Sequence, residues 1–130
     1  MSTIKQRILL VEDDSFLASI YAQKLELEGY EVSFATNGDD GMKMAKKEEP
    51  SLVLLDLRLV PGKMDGFEML QTLKSDAELK EIPVLVLSNL GQREDVERCM
   101  QLGAAGYIIK AHSLPHETVK RIKEILHAAV

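Results

Sequence analysis

Apolar positions along the chain follow two alternating patterns. The continuous runs Ile8-Leu-Leu-Val11, Leu52-Val-Leu-Leu55 and Val84-Leu-Val-Leu87 read as strands buried on both faces, since a half-solvated strand alternates instead. With them, strands are predicted over Arg7–Val11, Glu31–Ala35, Leu52–Leu55, Pro83–Leu87 and Gly106–Ile109. Glu31–Ala35 alternates more and is expected nearer a sheet edge. Between these runs the period lengthens to that of a helix. Asp14 or Ser15 can cap a first helix carrying Leu17, Tyr21 and Leu25, stopped by Gly29. Asn37 can cap a second, ended by Pro50. A third is predicted from Asp65 to Ser75 with Phe67, Leu70 and Leu73 on one side. A fourth runs from Gln92 to Leu102 and is closed by Gly103. The last starts near Pro115 and aligns Val119, Ile122 and Leu126 or Ala129. The strand starts at 7, 31, 52, 83 and 106 are spaced as βα units are. Five such units predict an open, doubly wound α/β domain with helices on both faces of a parallel sheet.

Composition narrows the function classes. A chain of 130 residues has the length of one domain. Aromatic residues make up 5% and there is no Trp, so Leu, Ile, Val and Met must fill the interior. A formal charge of −5 offers no attraction for phosphate backbones, which argues against direct nucleic-acid binding. The lone Cys99 excludes an internal disulfide framework and suits a reducing cytoplasm. No apolar run can span a bilayer, and the first residues lack a signal-peptide pattern. A cytoplasmic, single-domain protein spanning 1–130 is the expectation.

In doubly wound sheets, ligands bind beyond the carboxyl ends of the strands. The first strand ends in Glu12-Asp13-Asp14, the third runs into Asp56, the fourth ends at Ser88 and the fifth at Lys110. Asp14 has the plainer reading of a helix cap. Asp56 resists it: following a buried run and expected to be half-buried among other acids, it is costly there unless a cation is present. Clustered carboxylates with a backbone carbonyl suit Mg²⁺, and no Ca²⁺-type loop is present. Metal, carboxylate nucleophile, ammonium and hydroxyl together are the parts that form and hold an acyl phosphate.

The ordered set Ile8-Leu-Leu-Val-Glu-Asp-Asp14, Asp56, Met64-Asp-Gly66, Ser88, Tyr107 and Lys110 resembles the receiver domain of bacterial two-component response regulators, over essentially the whole chain. The resemblance implies a flavodoxin-like sheet of strand order 2-1-3-4-5, like that of the chemotaxis response regulator. It implies that Asp56 accepts a phosphoryl group from a phosphohistidine on a sensor kinase or phosphotransfer protein. Glu12 and Asp13 hold Mg²⁺, Glu12 through water, and the backbone carbonyl of Arg58 adds a ligand. Lys110 pairs with Asp56 or its phosphate, Ser88 bonds the phosphoryl group, and Tyr107 reorients into the space vacated, a two-state switch. It implies no enzyme activity beyond Mg²⁺-dependent self-phosphorylation and slow self-dephosphorylation. Output passes to a protein target through helix 4, strand 5 and helix 5.

The chain departs from the family pattern in four places. Ala111 replaces the usual Pro after Lys110, so the Lys110–Ala111 bond is expected to be trans with a reshaped loop, or strained. Ser88 replaces the commoner Thr. Asn89 is larger than the usual residue and is expected to crowd the phosphoryl group. The interval from Asp56 to Gly66 is long, which predicts an extended loop over Val60-Pro-Gly-Lys63. Ala104, Ala105 and Gly106 stand where acids precede the tyrosine in dimerising regulators, which predicts a monomer.

Competing readings remain in view. A phosphorylation-independent receiver-like module would share the fold. A flavodoxin-type flavin carrier would meet three acids where it needs a phosphate loop, and an Asp-nucleophile phosphohydrolase would find Arg58 where its second acid belongs. Tyr107 also reads as a plain core aromatic. His112, His116 and His127 read as solvated, and Met42, Met44, Met64, Met69 and Met100 as core filler. Gly62-Lys63 lacks the remaining residues of a phosphate-binding loop.

Overall fold

The computed structural model describes residues 5–59 and 63–128. Its elements follow in order: β1 (Arg7–Val11), α1 (Ser15–Leu27), β2 (Glu31–Ala35), α2 (Gly38–Glu48), β3 (Leu52–Leu55), α3 (Gly66–Ser75), β4 (Val84–Ser88), α4 (Arg93–Gln101), β5 (Gly106–Ile109) and α5 (Pro115–Ala128). A 3-10 turn over Lys110–His112 joins β5 to α5. All strands are parallel, in the order β2-β1-β3-β4-β5. The alternating Glu31–Ala35 segment is one edge, as expected; β5, whose side chains after Gly106 are half-buried, is the other.

The continuous apolar runs now have their cause. Ile8, Leu10, Leu52, Leu54, Leu85 and Leu87 point to one face, where Tyr21 and Leu25 of α1 and Ile122 and Leu126 of α5 cover them. Leu9, Val11, Val53, Leu55, Val84 and Val86 point to the other, against Met42, Ala45, Leu70, Leu73 and Cys99. Each residue of these central runs therefore has a helix above it or below it, and a polar residue would be unsatisfied on either side.

The helix ends obey local chemistry. Asp14, not Ser15, caps α1, accepting from the Phe16 and Leu17 amides at 3.1 Å. Asn37 accepts from Asp40 N at 2.9 Å, and Asp65 with Glu68 forms a reciprocal capping box on α3. Gly29 and Gly103 take φ of 93° and 103° after α1 and α4, the left-handed turn that ends a helix.

Several expectations need correction. The fourth strand begins at Val84 and includes Ser88, because Pro83 has no N–H to give a neighbour. The fourth helix is shorter than predicted, with Gln92 and Leu102 as its caps. Met100 is 46% exposed and is not core filler; Cys99 takes the inward position beside it. Phe67 is only partly buried, its ring lying 4.2 Å from the Arg98 guanidinium. The Lys110–Ala111 bond is trans, no described bond being cis, and the 3-10 turn is the reshaped loop. Val60, Pro61 and Gly62 of the expected long loop, and Ala129 of the last helix, lie outside the described residues. No described helix is long and apolar enough to cross a membrane.

One contact fixes the loop after β3. A Cβ on Gly66 would lie 2.2 Å from the Asp56 carbonyl oxygen and 2.4 Å from Leu57 Cα, and Gly66 N donates to Leu57 O at 3.1 Å. The start of α3 is thus pressed against the backbone that carries Asp56. Gly66→Ala is expected to destabilise the chain by about 2–3 kcal/mol, since backbone cannot move aside as a side chain can. Gly91→Ala, whose added carbon meets only the Ile109 side chain at 3.4 Å, should stay within about 0.5 kcal/mol of wild type. Urea midpoints of the two variants check the contrast.

Candidate functional site

Sheet register brings the acids together. Val11 of β1 pairs with Leu55 of β3, so the next residues, Glu12 and Asp56, leave the two central strands at the same height. Both are still held as strand continuations: Glu12 N donates to Ala35 O and Asp56 N to Val11 O, each at 3.0 Å. That keeps their side chains at the rim yet nearly sealed, 4% and 6% exposed. Asp56 is therefore more deeply buried than the half-burial expected of it. Asp13, one residue further along, is exposed and stands at the mouth. Carboxylate oxygens of Glu12, Asp13 and Asp56 lie within 4.8 Å of one another.

Lys110 enters from the other side of the sheet. Ser88 pairs with Ile109, which delivers Lys110 beyond the end of β5. Its Nζ donates to Glu12 Oε1 at 2.6 Å and to Asp56 Oδ2 at 2.8 Å. The second Asp56 oxygen accepts from Arg58 N at 3.1 Å, while the Arg58 side chain is exposed. One ammonium thus serves two buried carboxylates, with a third beside them.

Electrostatics follow from that shortfall. Burial, and then the adjacent Asp56 carboxylate, push the Glu12 carboxyl up to about 7; Lys110 opposes this without cancelling it. Burial draws the Lys110 ammonium downward, but its bonds to Asp56 and Glu12 outweigh that and leave it raised. The cluster carries more negative charge than its own lysine neutralises. Hard oxygen donors with unbalanced charge form the donor set that a divalent cation of the Mg²⁺ type takes.

Ser88 and Tyr107 occupy a neighbouring arrangement. Ser88 is fully buried, and its Oγ accepts from Leu90 N at 3.1 Å. The Tyr107 hydroxyl, on the next strand, donates to Leu90 O at 2.5 Å. The Leu90 residue is thereby gripped at its N–H by one predicted switch residue and at its C=O by the other. Neither hydroxyl bonds to the acid cluster among the described residues. Asn89, between Ser88 and Leu90, is exposed.

Sequence reasoning missed two features here. Leu90 acts through its backbone, which leaves no mark on residue type. The loop before α3 is tied to α2: Gly38 N donates to Met64 O at 2.8 Å, and Met64 N to Asp39 Oδ2 at 2.9 Å. The glycine was the available signal, because a Cβ at Gly38 would lie 2.7 Å from the Met64 side chain and carbonyl oxygen. His112, His116 and His127 are exposed, as expected.

Comparison with known proteins agrees with this geometry. Residues 8–123 match the family model of the response regulator receiver domain. The chain is 35% identical over 129 residues to a probable transcriptional regulator, ycf27, of Pyropia yezoensis, covering 99% of this chain and 51% of that protein. It is 33% identical over 115 residues to the polar-differentiation response regulator DivK of Brucella anthropi, covering 87% and 92%. The chain thus spans about half the length of the first relative and nearly all of the second. Its backbone is similar to that of a CheY-like receiver domain protein of Methanospirillum hungatei JF-1, with a TM-score of 0.88, 28% identity and 97% of each chain covered. With the acids and lysine gathered as described, the chain belongs to the response regulator receiver domains, the phosphorelay signalling modules of two-component systems.

Proposed function

We propose that residues 1–130 act as one cytoplasmic receiver unit in which Asp56 takes a phosphoryl group from the phosphohistidine of a sensor kinase or phosphotransfer protein. The observation that carries this reading is the Lys110 ammonium bridging Glu12 and Asp56 beneath an open rim that holds Asp13. Glu12 and Asp56 each meet a backbone amide and the Lys110 ammonium, but the amide bond to Asp56, from Arg58 N at 3.1 Å, is shorter than that to Glu12, from Asp14 N at 3.4 Å. Asp56 also stands on the central strand β3, which orients its carboxylate for attack on phosphorus. Glu12, Asp13, Asp56 and the Arg58 carbonyl would hold Mg²⁺, which supplies positive charge to the phosphoryl oxygens. Lys110 remains beside Asp56 as the second cation. Ser88, drawn to the new phosphoryl oxygens, gives up Leu90 N, and Tyr107 loses the fixed carbonyl that holds it. The β4–α4 loop and the face of α4, β5 and α5 then change together, for a protein target read by a monomer. Phe16 and Leu114, 74% and 59% exposed on the segments leaving the site, offer apolar contact to a donor protein.

Incubation with acetyl phosphate and Mg²⁺ should label wild type on Asp56, with at least a hundredfold less label on Asp56→Asn or in EDTA. Labelling of that variant at the wild-type level would exclude Asp56 as the acceptor.

Lys110→Ala should still take up beryllofluoride, yet lose most of the amide shift changes in α4 and β5 that wild type shows. A complete response in that variant would make the lysine a bystander.

The raised Glu12 carboxyl sets a pH dependence. Between about 4.5 and about 7 the folded chain holds a proton that the unfolded chain releases. Stability from this group is full below the unfolded value and is lost as pH rises through the folded one. In EDTA, melting temperature should fall across that window in wild type and fall less in Glu12→Gln. Equal slopes would place the proton on another group.

A further inference from the structure

A second feature lies away from the acid cluster, on the outer surface of α1 and α5. The two helices leave between them a furrow of about 440 Å³. Its α1 wall is Lys24, Leu27 and Glu28, spaced i, i+3, i+4; its α5 wall is His116, Val119, Lys120 and Lys123, spaced i, i+3, i+4, i+7. Each wall is one helical stripe, so the furrow runs between two helices rather than crossing a loop.

Its chemistry is unlike that of the chain as a whole. The protein carries −5, yet three lysines line this furrow against a single acid. That acid, Glu28, is occupied by Lys123 at 2.5 Å. Lys24 and Lys120 make no ion pair among the described residues. Leu27 is 80% exposed, and Val119 underlies the floor. One exposed leucine on a convex surface needs no explanation. Here it stands on the wall of a concave strip flanked by two unpaired ammonium groups.

We propose that this furrow is a docking site for an acidic amphipathic helix of another protein, distinct from the phosphodonor. A helix laid between α1 and α5 would complete a three-helix layer, with its apolar stripe on Leu27, Val119 and the lysine methylenes and its carboxylates on Lys24 and Lys120. An extended peptide is disfavoured because the furrow contains no free strand edge to pair with. A second copy of this chain is an outcome of the test, and nucleic acid is disfavoured because two unpaired lysines beside an exposed leucine make no extended basic track. The inference uses none of the phosphoryl chemistry and stands or falls apart from it.

The test uses the full 130-residue chain and a 15-residue capped, dye-labelled peptide with leucines along one helical face and glutamates flanking them. Fluorescence anisotropy should show saturable binding, and amide shift changes should centre on Lys24–Glu28 and His116–Lys123. The double variant Lys24→Glu/Lys120→Glu should weaken binding at least tenfold, and Leu27→Ser at least threefold. Lys43→Glu/Lys47→Glu on α2 changes net charge equally and should leave affinity within twofold. All variants should keep the wild-type circular dichroism spectrum, and their beryllofluoride response reports the acid cluster separately. Absence of saturable binding at millimolar peptide overturns the proposal. Equal affinity for a peptide with Gln in place of every Glu, or equal loss in the α2 control, does the same. Binding of phosphatidylglycerol vesicles that the furrow variants abolish, with none of the peptide, would replace the helix by a membrane surface. A concentration-dependent dimer in sedimentation would replace it by a second copy.

Discussion

One ammonium shared by two buried carboxylates is the constraint on which the site depends. At 2.6 and 2.8 Å each Lys110 contact is a strong charge-assisted bond. Yet the pair of acids is one charge in excess before exposed Asp13 is counted. Breaking a buried pair by removing one partner typically costs about 3–5 kcal/mol, because the remaining charge is left without compensation. Burial and Asp56 raise the Glu12 carboxyl to about 7, so a proton there would relieve part of the excess, and a bound cation would compete with it. A proton, a metal and a phosphoryl group at this site would therefore all act on the same charge imbalance.

The sheet makes that frustration tolerable. Its central strands are sealed on both faces by aliphatic side chains, so Glu12 and Asp56 cannot relax apart without breaking the backbone bonds that continue β1 and β3 past their apolar runs. Rigid strands carry the charges, and on the proposed reading the loops that follow carry the response. Leu90 shows how. Its peptide groups are held by Ser88 from β4 and Tyr107 from β5, so a Ser88 hydroxyl drawn away to donate to a phosphoryl oxygen would loosen one of two restraints on the same residue. The two side chains are coupled through a shared backbone, which on the proposed reading would be the local cause of a change reaching α4.

Much of this was legible in the residues. Continuous apolar runs gave the parallel sheet because every strand position is covered, and Asp14, Asn37 and Asp65 marked helix starts because their oxygens satisfy free amides. The acids and lysine at strand ends were visible because parallel strands end on one rim. What escaped notice has a common character. Leu90 acts by its backbone, the Met64 tie to α2 is also backbone, and the depth of Asp56 depends on how far the ladder continues beyond Leu55. Met100 was misjudged because apolarity alone does not say which of two adjacent residues, Cys99 or Met100, a helix turns inward. The α1–α5 furrow escaped because its lysines lie almost a hundred residues apart in sequence and meet only by folding.

Two charge systems of opposite sign thus share two helices. The acid cluster lies before α1 and α5, while Lys24 to Glu28 lie roughly 15–20 Å along α1 from its Asp14 cap at about 1.5 Å per residue. That exceeds the Debye length of about 8 Å at physiological salt, so charge added at Asp56 is screened from that wall of the furrow through solvent. Mechanical transfer through α1 is also weak, since Tyr21 and Leu25 lock the helix to the sheet and the restraints released at Leu90 lie at the β4–β5 side. The α1 wall is then insulated from the phosphoryl state, whereas the α5 wall, His116 to Lys123, adjoins the face that would change with it. A helix docked across both walls would therefore couple to that state through α5 alone, and not through α1.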